Sequence, residues 1–134
     1  MNTFVASSPA VTNYFCTGVR LYAQPLVLVH GWGMDSQIWA ELPQQLSQFA
    51  DVITLDLPGF AESPVLQSYS ETDLHQWMDE ILPERCYLMG LSLGGILCNG
   101  FAARYPQRVA GLICLSSNIH FVASESNPAA LDNQ

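Results

Sequence analysis

Apolar positions along this chain fall into two kinds of run, short unbroken ones and longer ones that recur with a helical repeat, and the two kinds alternate. Leu26-Val27-Leu28-Val29 follows Pro25 and is closed by His30-Gly31-Trp32-Gly33, the pattern of a strand buried on both faces that ends in a tight loop. Val52-Ile53-Thr54-Leu55 gives a second strand, stopped by Asp56-Leu57-Pro58-Gly59. Cys86-Tyr87-Leu88-Met89 and Val109 to Leu115 are two further runs of the same kind.

Between the runs lie helical spacings. Ile38, Trp39, Leu42, Leu46 and Phe49 predict a helix after the first strand, capped by Asp35 or Ser36 and kinked or restarted at Pro43. Leu74, Trp77, Met78, Ile81 and Leu82 form one apolar face of a helix with a cap at Ser70 and Asp73 and a stop at Pro83. His75 falls on the polar side of that face and is expected to be solvent-exposed. A third helix is expected from Gly95 to Tyr105, stopped by Pro106. The stretch from Gly59 to Tyr69 reads as a surface loop.

This alternation predicts an α/β fold with a parallel sheet and right-handed crossovers. Residues 1–24 read as an irregular lead-in or edge hairpin, residues 25–120 as the folded portion and residues 121–134 as a flexible tail.

Composition narrows the partners. The chain has 134 residues, 49% of them hydrophobic, and a formal net charge of −8. Its basic residues are Arg20, Arg85, Arg104 and Arg108, so a phosphate-lined nucleic acid would be repelled. Neither a secretory leader nor a bilayer-length apolar segment is read, which makes a cytoplasmic location the expectation and a membrane association not expected. Cys16, Cys86, Cys98 and Cys114 lack paired or metal-type spacing and read as free thiols, three of them buried, with no metal site.

The chemistry concentrates at Gly90-Leu91-Ser92-Leu93-Gly94, between a strand pattern and a helix pattern. Such a turn raises a serine hydroxyl at a helix N-terminus, where backbone N–H groups favour developing negative charge, and its glycines avoid the collisions of a sharp reversal. An incidental serine in a glycine-rich turn is the plain alternative. The order of a His-Gly loop, an Asp-x-Pro-Gly turn and then this turn argues against it.

With those residues in place, Leu26 to Trp39, Val52 to Phe60 and Tyr87 to Gly95 resemble the α/β-hydrolase superfamily. Within it, His30-Gly31-Trp32-Gly33 and Gly90 to Gly95 are most similar to the pimeloyl-acyl-carrier-protein methyl ester esterases of biotin synthesis. Leu91 stands where that family usually has tryptophan, and Ala61 where glycine is common. The resemblance implies a serine carboxylesterase with Ser92 as nucleophile and the backbone N–H groups of Trp32 and Leu93 as oxyanion hole. It implies no cofactor, and a small-molecule or carrier-bound acyl ester, on an acyl carrier protein in the biotin case. Trp32 and Leu91 either line the acyl pocket or pack in the core. His30 shapes its loop and Asp56 a turn, neither moving protons.

The superfamily order of serine, acid, histidine requires later strands. Neither is read here, so the α/β-hydrolase fold is expected to be partial, a truncated N-terminal portion without the triad acid and histidine. His120, the one histidine after Ser92, reads as a solvated loop residue rather than a base. Two alternatives to an active esterase stay open: a catalytically silent remnant or binding module, and one half of a split hydrolase completed by another chain. Val109 to Leu115 would then be an apolar edge, and self-association is expected.

Overall fold

A computed structural model of the chain describes residues 11–15 and 21–118. Among these residues lie five strands, β1 (Val11–Phe15), β2 (Leu26–Val29), β3 (Val52–Leu55), β4 (Cys86–Leu91) and β5 (Val109–Leu115). They form one sheet in the order β1-β3-β2-β4-β5. β1 runs antiparallel to β3, and the other pairs are parallel. The lead-in thus contributes an edge strand; the remainder of residues 1–20, Cys16 included, and the expected tail with His120 lie outside the described residues.

Three helices connect the parallel strands: α1 (Leu42–Leu46), α2 (Glu71–Ile81) and α3 (Leu93–Arg104). The first expected helix is split. Ser36–Trp39 form a 3-10 turn, capped by the Asp35 carboxylate, which accepts from the Gln37 N–H at 2.8 Å. Ala40 then breaks the path at φ 49°, and α1 restarts with Pro43 in its first turn, where a missing N–H leaves nothing unsatisfied. Three residues per turn in one part and 3.6 in the other cannot hold one stripe in phase. Trp39 is buried, whereas Ile38 and Phe49, expected on the same inward face, are 49% and 46% exposed.

The sheet has two apolar faces because successive side chains in a strand alternate. Val27, Val29, Ile53, Leu55, Cys86 and Leu88 pack under Trp77, Met78, Leu97, Cys98 and Phe101 of α2 and α3. Leu28 and Val52 pack with Trp39 on the α1 side, flanked by Leu42, Leu46, Met89 and Leu91.

His75 corrects the expectation of an exposed residue, being 2% exposed. The polar side of α2 borders α3, where Gly100 leaves a notch: a Cβ there would lie 2.6 Å from His75 Cε1. The imidazole also meets Phe101 edge to face, with ring centroids 6.4 Å apart. Cys114 is a second correction. Cys86 and Cys98 are buried, but Cys114 is exposed, because β5 is a sheet edge among the described residues. Burial pushes the Cys86 thiol up to about 12 and the Cys98 thiol well above its ordinary value, so both stay protonated and inert. No helix among the described residues is long and apolar enough to cross a membrane.

Candidate active site

Strand order places the site. β3 lies on one side of β2 and β4 on the other, so the loops leaving the carboxyl ends of β2 and β4 diverge and open a crevice there. The β2 loop carries His30 to Gly33, and the β4 exit carries Ser92.

The strand extends farther into the glycine motif than its apolar run suggests, to Leu91, and α3 begins earlier, at Leu93. Ser92 alone therefore makes the reversal, at φ 53° and ψ −117°. A non-glycine residue in this region is strained, and such strain persists only where its surroundings over-determine it. Those surroundings are specific. A Cβ on Gly94 would run into the carbonyl oxygens of Val29 and His30, so glycine lets the first turn of α3 press against the end of β2. The Ser92 N–H donates to the Leu115 carbonyl at 2.9 Å, tying the turn to β5.

The β2 loop approaches from the other side. A Cβ on Gly31 would sit 3.2 Å from Ser92 Cβ and 3.1 Å from the Leu91 carbonyl oxygen. Trp32 follows, 68% exposed. Leu93 is the first residue of α3, so its N–H has no carbonyl four residues back within the helix. The loop holding Trp32 and the helix start holding Leu93 thus flank Ser92, which is half-buried. Leu91 points to the α1 side and packs against Leu28, Trp39 and Val52, the packing alternative of its two expected roles.

His30 is fully buried and engaged at both nitrogens. Its Nε2 accepts the Leu57 N–H at 2.9 Å, which leaves Nδ1 to carry the proton and donate to the Gly31 carbonyl at 2.7 Å. Phe60 covers the ring edge to face. The histidine thus pins the β2 loop to the β3 loop. Asp56 does similar work, its Oδ1 accepting the Ser36 N–H at 2.8 Å while 1% exposed. His75 lies between α2 and α3, so neither it nor His30 is placed to take a proton from Ser92.

Two hollows matter less than the crevice. A cavity of about 590 Å³ beside the β2 loop is lined by Gly33, Met34, Asp35, Ile38, Phe60 and Ala61. An apolar groove of about 480 Å³ lies on the α1 side of the sheet, lined by Tyr22, Leu26, Leu46, Tyr87, Met89 and Ile113 among others, and Ser92 is not part of it. Sequence reasoning missed Ser117, whose hydroxyl donates to the Ser92 carbonyl at 2.7 Å. The only signal was its position just past β5, meaningful once β5 is known to pair with β4.

Known proteins share this fold. The family described as alpha/beta hydrolase fold matches residues 24–133. The chain is 45% identical over 106 residues to the biotin biosynthesis bifunctional protein BioHC of Cellvibrio japonicus, a match covering 79% of this chain and 21% of that protein. It is 38% identical over 105 residues to the pimeloyl-acyl-carrier-protein methyl ester esterase of Aeromonas salmonicida, covering 77% of this chain and 41% of the relative. Among solved structures, a thermophilic esterase from Thermogutta terrifontis superimposes with TM-score 0.67 and 31% identity, over 85% of this chain and 42% of the esterase. An esterase from Exiguobacterium antarcticum reaches TM-score 0.77 at 20% identity, over 90% of this chain and 46% of the other, a likeness of fold. The chain spans less than half the length of these proteins. With its parallel sheet, its crossover helices and the matched stretch from 24 to 133, the chain belongs to the alpha/beta hydrolase fold family.

Proposed function

We propose that this chain supplies the nucleophile and oxyanion-binding part of a serine carboxylic ester hydrolase. The observation that carries the reading is Ser92 itself, held alone at φ 53° between β4 and the N-terminus of α3. A strained serine gripped by β2 and β5 is a costly turn, and exposing Oγ above the sheet is the use such a turn serves.

In the proposed reaction Ser92 Oγ attacks the ester carbonyl carbon while its proton passes to a base. The tetrahedral oxyanion is held by the N–H groups of Trp32 and Leu93. Collapse breaks the bond to the leaving oxygen, which takes up that proton and departs as an alcohol; water then attacks the acyl-enzyme and frees the acid and Ser92. The exposed Trp32 offers the acyl chain an apolar wall. Neither described histidine is placed to act as the base, since His30 is committed at both nitrogens and His75 is enclosed between helices.

For the substrate we propose a pimeloyl methyl ester on an acyl carrier protein, on the strength of the names of the relatives in Aeromonas and Cellvibrio. A second reading, an acyl-binding protein without turnover or one half of a split hydrolase, is favoured by the engagement of both described histidines elsewhere. Hydrolysis of p-nitrophenyl butyrate separates the three. An esterase releases p-nitrophenol faster than its Ser92→Ala variant; equal rates favour the silent reading, and rates that rise only when a co-purifying chain is added favour the split one.

A further inference from the structure

The peptide unit between Ser92 and Leu93 carries the proposed oxyanion donor, the Leu93 N–H, on one side and the Ser92 carbonyl on the other. A trans peptide is planar, so these groups point in opposite directions and turn together. Whatever grips the carbonyl also aims the N–H.

Three donors grip it. The Gly95 N–H at 2.9 Å and the Ile96 N–H at 3.2 Å belong to the first turn of α3, as at any helix start. The third is the hydroxyl of Ser117, at 2.7 Å, and it comes from beyond β5. Ser117 Oγ also lies 3.1 Å from the Leu115 carbonyl. A hydroxyl has one proton to give, the Ser92 oxygen is closer, and the Leu115 oxygen already accepts the Ser92 N–H at 2.9 Å. The proton is therefore directed to Ser92.

Two features of the surroundings are built around this bond. Ser116 takes φ 48°, a left-handed turn at the end of β5 just before Ser117. Gly95 has no Cβ, and one placed there would overlap Ser117 Oγ, so the residue at 95 leaves the space that the hydroxyl fills. A serine that merely closed the strand end would need only its contact with Leu115, two residues back.

Resting on the reading of Ser92 as the nucleophile, we propose that Ser117 is a positioning residue for the oxyanion hole. Its hydroxyl fixes the plane of the Ser92–Leu93 peptide, and by hydrogen-bonding the carbonyl it polarises the amide and strengthens the Leu93 N–H as a donor. The effect falls on the transition state, where the oxyanion forms, rather than on binding of the neutral ester.

The test compares wild type, Ser117→Ala and Ser117→Thr, with Ser92→Ala as the reference for the nucleophile. Turnover of p-nitrophenyl butyrate is measured together with the Leu93 amide resonance in ¹H–¹⁵N spectra. In Ser117→Ala, kcat is expected to fall about tenfold with KM nearly unchanged, a fraction of what losing an oxyanion donor outright costs. The Leu93 amide proton moves upfield, and threonine, which keeps the hydroxyl, restores both readouts. If Ser117→Ala does not melt cooperatively, Ser117→Cys, a weaker donor of similar size, replaces it. A Leu93 amide that stays in place, or full kcat in Ser117→Ala beside an inactive Ser92→Ala, overturns the role of Ser117 alone. Undiminished activity in Ser92→Ala instead overturns the nucleophile reading on which it rests.

Discussion

Among the described residues the two faces of the sheet are covered to different degrees. On the α2 and α3 side, Phe101, Leu88, Cys98 and Met78 are at most 1% exposed, and the helices close over the strands. On the α1 side Leu28 and Val52 are equally buried, but Ile113 is 46% exposed and an apolar groove runs beside Met89 and Tyr87. Parallel sheets are ordinarily covered on both faces. Ser92 starts the helix that packs on the closed face, so the Ser92 turn draws its rigidity from the better-covered side.

The widest separation of the two faces is expected in the core. Phe101→Ala should cost about 3 to 5 kcal/mol, because it opens a cavity under α2 and α3, while Met89→Ala on the open side should cost about 1 kcal/mol or less. Urea titrations of both variants check this; equal losses would mean the groove is packed in solution.

A smaller effect is expected at the α2–α3 contact. Burial holds the His75 imidazole below its ordinary value of 6.5, an effect that outweighs the opposing pull of the Glu71 carboxylate, while Arg104 adds to it. The folded state therefore prefers the neutral ring. Stability from this group is complete above about pH 6.5, where the unfolded chain is neutral too, and declines as pH falls below that value, since the unfolded chain takes the proton first. Melting temperature followed from pH 7.5 to 5 should fall more steeply in wild type than in His75→Gln; parallel curves would remove His75 as the cause.

The smallest effect belongs to neither face. Ala61 sits at φ 46°, where a Cβ is strained. Ala61→Gly should be neutral to stabilising by up to about 1 kcal/mol, relief of that strain being partly offset by the greater entropy of the unfolded glycine chain. A clear loss of stability would show that the alanine methyl packs against something.

Much of this was legible in residue order. The limits of β2, β3 and β5 follow from unbroken apolar runs, and the cap and apolar face of α2 from a 3.6-residue period with Ser70 before it; the Asp73 N–H donates to Ser70 Oγ at 3.1 Å. Ser92 was legible because strand, glycines and helix are local. Contacts between distant segments were not. The burial of His75 depends on Gly100 in another helix, and the phase of the first helix depends on one left-handed alanine, which no apolar repeat encodes. The bond from Ser117 to Ser92 exists only because β5 pairs with β4, a neighbour relation set by the whole sheet.

The central claim is that Ser92 attacks an acyl carbon. The most direct measurement is an acid quench of the protein during turnover of p-nitrophenyl butyrate, followed by mass spectrometry of its peptides. A butyryl group on the peptide containing Ser92, absent from Ser92→Ala, is the predicted result. An unmodified Ser92 peptide together with equal hydrolysis by wild type and Ser92→Ala would contradict it.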